Sequence, residues 1–322
     1  MEILYLSRAD VEAVGLTMAE IIEVVENAFR DKALGQVEMP PKPGIHTRPD
    51  AFIHAMPAYL KSIDAAGVKW VSGYPENQAR GLPYISGLLI LNDAGTGFPV
   101  AIMDATWITG VRTGAATAVA AKYLARPEAR AVAILGCGVQ GRSNLCALHQ
   151  VMRELQDVYA YDIRPEAADQ FTRECQAEYG LAAVPCRSAE EAVRQADVVV
   201  TAGPILQHPR PVIVPDWLRK GAFACTLDFD SYVTPAVFHA AKLFCSDDVN
   251  QLRYYQTLGY FADIPAAVSD LGAIVAGQQP GCHRALDLTV CANLGLAMED
   301  VATAQAVYQR ALKKGAGVRL PL

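Results

Sequence analysis

Three features of the sequence predict an α/β chain, with a doubly wound parallel sheet of the Rossmann type and a smaller α+β domain. The first is the stretch from Arg130 to Asp162, where an apolar run, Ala131 to Leu135, meets Gly136, Gly138 and Gly141. A helical pattern and a second apolar run ending on Asp162 follow. The second is the alternation of short apolar runs with helical patterns from Arg130 to about Asp248. The third is the different texture of the first hundred residues, where strand-like runs are separated by Pro, Gly and Asn.

Composition bounds the answer. The 322 residues suit two domains, and 52% hydrophobic content is enough for two cores. A formal charge of −6 with no basic run argues against a nucleic-acid partner. No apolar stretch approaches the roughly 20 residues that span a bilayer. The opening MEILYLSRADVEAVG has early acids and no apolar signal core, so a cytoplasmic protein without a membrane partner is expected. The eight cysteines, at 137, 146, 175, 186, 225, 245, 282 and 291, form no CxxC and read as free thiols. The six histidines show no HExxH or paired spacing, so no metal site is expected.

Taken in order, Glu2 to Leu6 reads as a strand, and Thr17 to Glu20 as a capping box. Behind it Ile21, Ile22, Val25, Ala28 and Phe29 recur at helical spacing. Phe52 to Met56, Ala66 to Ser72, Ile85 to Asn92 and Pro99 to Met103 read as strands, the first three as a small antiparallel sheet, with a turn at Asp93 to Gly97. Asp104 to Arg126 is Ala-rich and helix-prone, with Thr113 and Gly114 placed near a helix N-terminus. Strands are then expected at Ala131–Leu135, Val158–Tyr161, Ala182–Val184, Val198–Thr201, Ala222–Leu227 and Leu243–Cys245. Helical patterns at Val139–Arg153, Glu166–Tyr179 and Ala189–Gln195 fill most of the gaps. Asp248 to Leu258 and Ala266 to Ala276 read as helices, and Glu299 to Lys314 as the final one.

The glycines define a dinucleotide site. Gly136 allows the tight turn, Gly138 lets backbone approach a pyrophosphate, and Gly141 lets the helix lie on the strand. Val139 and Gln140 begin that helix, whose N-terminal N–H groups favour phosphate. Asp162 follows the second strand, 21 residues past the third glycine. A carboxylate there accepts both ribose hydroxyls of NAD and repels a 2′-phosphate. Arg164 stands where it would take that phosphate, which makes NADP the alternative cofactor. Asp162 also reads, more plainly, as a helix cap ahead of Pro165.

Elsewhere, Lys42, Lys69 and Arg112 are candidate anion-binding groups. Lys69 lies inside an apolar strand, and Arg112 among small residues. Each reads equally as a cap or a solvated side chain. His54 is a candidate proton shuttle or a structural strand histidine. Asp228 and Asp230 end an apolar strand at the edge where open α/β sheets bind ligands, and either reads as a proton relay or a turn residue. Tyr254, Tyr255, Tyr260 and Phe261 read as packing.

With these residues in place, the chain resembles the ornithine cyclodeaminase/μ-crystallin family, which includes alanine dehydrogenases and ketimine reductases. The resemblance is carried by MPPK at 39–42, HAMPAYL at 54–60, VKWVSGYPEN at 68–77, the long block at 87–126, GCGVQGR at 136–142 and GLAMEDVATA at 295–304. It implies a substrate-binding and dimerisation domain of residues 1–117 with 298–322, and a Rossmann domain of residues 118–297. It also implies a homodimer, with Lys42 and Lys69 as cationic substrate residues, Lys69 among the catalytic groups, Arg112 on the substrate carboxylate and Thr113 on the cofactor phosphates. The family's catalytic aspartate falls on Asp228 or Asp230, because LDFDSY replaces a glycine-rich segment. His54 stands where ornithine-acting members carry an acid. The implied activity is NAD(P)-dependent oxidoreduction at the C–N bond of a small α-amino or α-imino acid. Ornithine or lysine cyclodeamination with catalytic NAD, and nucleotide binding without turnover, are the alternatives.

Overall fold

The computed structural model describes residues 2–266, 268–281 and 286–322. By compactness the chain falls into two units, Met1–Arg112 with Leu296–Leu322, and Thr113–Gly295.

The first unit contains β1 (Glu2–Leu6), α1 (Arg8–Ala13), α2 (Met18–Ala33), β2 (Val37–Glu38), β3 (Gly44–Ile45), β4 (Phe52–Leu60), β5 (Ala65–Gly73), β6 (Ile85–Asp93) and β7 (Pro99–Asp104). The Thr17 hydroxyl accepts from the Glu20 amide while Glu20 accepts from the Thr17 amide, which closes the N-terminus of α2 as the capping box requires. The unit boundary falls inside α3 (Thr106–Leu124).

In the second unit come β8 (Ala131–Leu135), α4 (Val139–Val151), β9 (Asp157–Tyr161), α5 (Pro165–Tyr179), β10 (Ala182–Pro185), α6 (Ala189–Arg194), β11 (Val198–Thr201) and β12 (Phe223–Thr226). They are followed by α7 (Pro235–Ala240), β13 (Leu243–Ser246), α8 (Val249–Thr257), β14 (Ser269–Asp270), α9 (Leu271–Val275) and β15 (Thr289–Ala292). The chain ends in the first unit with α10 (Ala297–Lys314) and β16 (Val318–Pro321).

The second unit is built on a parallel sheet ordered β10-β9-β8-β11-β12-β15-β13-β14. All six expected strands are present, in doubly wound order, with the order reversing at β8. The segment Leu288 to Leu296, read only as apolar, supplies β15, which inserts between β12 and β13 and is buried at every position. A strand buried on both faces shows no alternation, so its period could not mark it. The helix expected over Ala266 to Ala276 is a short strand and the five-residue α9, capped by the Asp270 side chain.

The sheet of the first unit runs β16-β1-β7-β6-β5-β4-β2, with β3 also on β4. It is mixed, since β1 joins β7 in parallel. The three central strands are antiparallel, as expected for them. α10 packs on β4, β5 and β6 and against α2. The face it covers carries His54, Met56, Lys69 and Leu89; the other face carries Tyr5, Trp70 and Leu88, all exposed.

Thr113 and Gly114 lie well inside α3, not at its N-terminus. Gly114 is required there, because a Cβ would collide with the Ser143 carbonyl oxygen of α4. The tyrosine group packs: Phe229 meets Tyr255 at 4.7 Å and Tyr260 at 5.2 Å between ring centroids. The described cysteines are free, and Cys146 alone among them is only partly buried. Cys282 lies outside the described residues. No helix among the described residues is long and apolar enough to cross a membrane.

Candidate functional site

The glycine turn of the second unit has the three physical roles its spacing implies. Gly136 takes φ +104, open to glycine, and a Cβ on it would meet the Ala202 carbonyl oxygen at 2.6 Å. Gly138 is the N-cap of α4, which has no side-chain cap, and nothing lies within 4 Å of where its Cβ would be. A Cβ on Gly141 would stand 2.3 Å from the Gly136 carbonyl oxygen. The N-terminal amides of α4 thus face open space that a backbone can approach, and Val139 beside them is exposed. Gln140 lies in the first turn, where its carbonyl accepts from the Asn144 side chain at 2.8 Å.

Asp162 closes this turn rather than capping α5. Its Oδ2 accepts from the Cys137 amide at 2.9 Å and its Oδ1 from the Arg164 amide at 3.0 Å. The N-cap position of α5 belongs to Arg164, without a side-chain bond. The Arg164 guanidinium is largely exposed, with Nε 3.6 Å from Asp162 Oδ1. A cavity of about 350 Å³ opens here, lined by Cys137, Gly138, Arg142, Arg164, Glu166, Ala167 and Gln170. Arg142 is committed elsewhere, to Glu174 at 2.6 Å and to the Cys137 carbonyl. Burial, then the Asp162 charge, holds the Cys137 thiol up at about 12, so it is no nucleophile.

The fit to a dinucleotide yields a paired expectation. Gly138→Ala is expected to leave the melting temperature within about 2 °C yet weaken NADH binding at least tenfold, because the methyl fills free space. Gly141→Ala is expected to lower the melting temperature by several degrees, because the methyl collides with backbone. Thermal melts and fluorescence titration separate the two.

On the same sheet edge, Asp228 is fully buried. It accepts from the Thr201 hydroxyl at 2.6 Å and the Gly203 amide at 2.9 Å, both at the end of β11. Burial outweighs these bonds and raises its carboxyl to about 7. Phe229 follows at φ +60 with its ring in the core, so the chain turns sharply between the two aspartates. Asp230 faces another way, and its Oδ2 accepts from the Phe261 amide at 2.8 Å.

The first unit holds a buried charge cluster. Lys69 is completely buried, with Nζ 2.7 Å from Asp300 Oδ2 and donating to the Thr109 hydroxyl at 3.2 Å. Arg112 donates through Nε to Asp300 Oδ1 at 2.9 Å and through Nη1 to Glu299 Oε2 at 2.8 Å. Burial, and then Arg112, lower Lys69 to about 7, against the opposing pull of Asp300. Burial raises Glu299, whose Oε1 has no hydrogen-bond partner among the described residues. Lys42 is buried too, and close enough to contribute to the field at His54 and Lys69. Four expected residues, Lys42, His54, Lys69 and Arg112, therefore belong to one unit, and three, Lys42, Lys69 and His54, act on one another electrostatically.

Glu299 and Asp300 were not singled out from the sequence. They sit in the first turn of α10, where acids are ordinary partners of the helix dipole. Their distinguishing mark is burial beside Arg112 and Lys69, both far away in the sequence, which no local pattern carries. The block GLAMEDVATA that contains them was the available signal.

Known proteins are similar to this chain end to end. The nodulation efficiency protein NfeD of Rhizobium meliloti is 36% identical over 97% of this chain and 97% of its own length. The structure of Thermococcus litoralis Δ(1)-pyrroline-2-carboxylate reductase, in complex with NADH and L-proline, superposes with a TM-score of 0.88 at 34% identity, covering 98% of this chain and 99% of that one. An archaeal alanine dehydrogenase dimer with bound NAD superposes at 0.89 and 35% identity, with both chains fully covered. The glycine turn, the buried cations and the match of residues 1–315 to the family pattern converge: this chain belongs to the ornithine cyclodeaminase/mu-crystallin family.

Proposed function

We propose that the protein is a homodimeric NAD-dependent oxidoreductase of the C–N bond of small α-amino and α-imino acids. The observation that carries this reading is the pairing, in one chain, of an open glycine turn with a buried lysine–arginine cluster. NAD is the cofactor, and it supplies or accepts the hydride. Gly136, Gly138, Gly141 and the first turn of α4, with Val139 and Gln140, hold its pyrophosphate, and Asp162 its adenosine ribose. The nicotinamide complexes of the reductase and the alanine dehydrogenase support this. Thr113, half-way along α3, is assigned to the cofactor on the resemblance alone.

Lys69, Arg112 and Lys42 hold the substrate carboxylate. The guanidinium plane is fixed by two acids, so little freedom is lost when a carboxylate arrives. Asp228 moves the proton to or from the substrate nitrogen. It is the better placed of the two aspartates, because its carboxyl exchanges a proton near neutrality while Asp230 anchors the Phe261 segment.

The outward face of the first unit's sheet supports the dimer. Trp70 and Leu88 are cross-strand partners, Tyr5 pairs with Val318, and all four are exposed. A contiguous apolar sheet face of this kind is what a subunit interface covers. Leu88→Lys is expected to convert the dimer to monomer in sedimentation velocity at micromolar concentration.

The reaction is tested by following NADH with 2-oxo acids plus ammonia or methylamine, with cyclic imines, and with ornithine, using both nicotinamide cofactors. Net oxidation of NADH with an imine is expected. Ammonia release from ornithine without net change in NADH would mark a cyclodeaminase instead. Nucleotide binding with no turnover would mark a binding protein.

A further inference from the structure

His54 lies on the face of β4 that α10 covers. Its cross-strand partner is Val71 and its diagonal neighbour is Lys69, which pairs with Met56. It is only 7% exposed. Phe52 stacks on its ring at 4.3 Å and His46 stands edge-on at 6.3 Å. Gly44 makes room for it, since a Cβ there would stand 2.2 Å from Cδ2 of the ring. None of these contacts is a hydrogen bond. Among the described residues, neither ring nitrogen has a hydrogen-bond partner. Neither nitrogen is sealed from solvent, so a bound molecule can reach the ring.

The surroundings define what is missing. Burial, then Lys42, His46 and Lys69, hold the ring neutral, with a pKa of about 2. A neutral imidazole offers one N–H donor and one bare nitrogen. The lysines around it favour oxygen and negative charge and disfavour a second ammonium.

We infer that His54 reads the substrate's side chain, its ring N–H donating to an oxygen there, so that the enzyme selects imino and amino acids bearing a side-chain carboxylate or hydroxyl. Alkyl side chains leave the ring without a partner, and side chains ending in an ammonium meet like charge. The inference rests on the reading that Lys69 and Arg112 hold the α-carboxylate, which leaves His54 for the rest of the molecule. It requires no change in the reaction, only in which substrate is preferred.

The test compares kcat/KM for oxaloacetate, hydroxypyruvate and pyruvate, each with ammonia and NADH, and for L-ornithine with NAD. Wild type is expected to favour an oxygen-bearing substrate over pyruvate by at least about tenfold, with ornithine the poorest. His54→Phe is expected to bring the ratio to pyruvate below about threefold. His54→Gln, which keeps an N–H donor, is expected to retain more than half of the wild-type ratio. A wild-type preference for pyruvate or ornithine, or an unchanged ratio in His54→Phe, would overturn the inference. Calorimetric binding of L-malate and L-lactate to the NAD-loaded wild-type protein separates this from the reaction itself. Malate is expected to bind at least about tenfold tighter, even if no 2-oxo acid oxidises NADH. Equal affinities would sink the role of His54 while leaving the reaction standing.

Discussion

Arg112→Lys is expected to lower kcat/KM for the imino acid by at least about a hundredfold, while the dissociation constant for NADH stays within about twofold. Arg112 uses Nε and Nη1 on two different carboxylates, Asp300 at 2.9 Å and Glu299 at 2.8 Å. That fixes the plane of the guanidinium. A lysine keeps the charge but has no plane, so it cannot hold a carboxylate in one orientation. Arg112→Ala is a poorer probe, because it strands two buried acids and costs about 3–5 kcal/mol of stability. Steady-state kinetics beside a fluorescence titration of NADH gives both quantities. An unchanged kcat/KM in the lysine variant would remove Arg112 from the substrate site.

Asp228→Asn is expected to reduce kcat by roughly 10²- to 10⁴-fold, with Asp230→Asn much closer to wild type. The pH profile gives the sign. Burial raises the Asp228 carboxyl to about 7, so it is protonated below that pH and ionised above it. Reduction of an imine needs the proton on the carboxyl, so kcat in that direction falls as pH rises through about 7. Oxidation of an amine needs the carboxylate, so kcat in that direction rises through the same range. Lys69, lowered to about 7, loses its charge over this interval, so KM for the carboxylate substrate rises with pH in both directions. The separate profiles of kcat and KM distinguish the two residues. A kcat profile in which Asp228→Asn retains the wild-type limb near 7 would contradict the assignment.

Where chemistry and chain neighbourhood coincide, the sequence is readable. Gly136, Gly138 and Gly141 act within a single turn, and each meets or avoids the atoms that its spacing implies. The six strands expected in the second unit, of the eight in its sheet, mostly alternate with helices, so length and periodicity mark them. β15 was missed because its ladder partners β12 and β13 precede it by tens of residues, and because it is buried on both faces and so shows no alternation. The split between Asp228 and Asp230 was unreadable for another reason: Phe229 takes a positive φ that only the packed core enforces. The partners of Lys69 and Arg112 come from α10, at the far end of the chain. A lone buried lysine in the sequence signals that a counter-ion exists, without saying where.

In the proposed reaction a hydride would pass between NAD and the substrate's α-carbon. This transfer is tested most directly by supplying [4,4-²H₂]NADH with the 2-oxo acid and ammonia pair, or the cyclic imine, that NADH reduces fastest. Mass spectrometry then locates the label in the amino acid formed. One deuterium at Cα, with one NAD produced per amino acid, is the expected result. An unlabelled product, or ammonia released from ornithine with no net change in NADH, would contradict it.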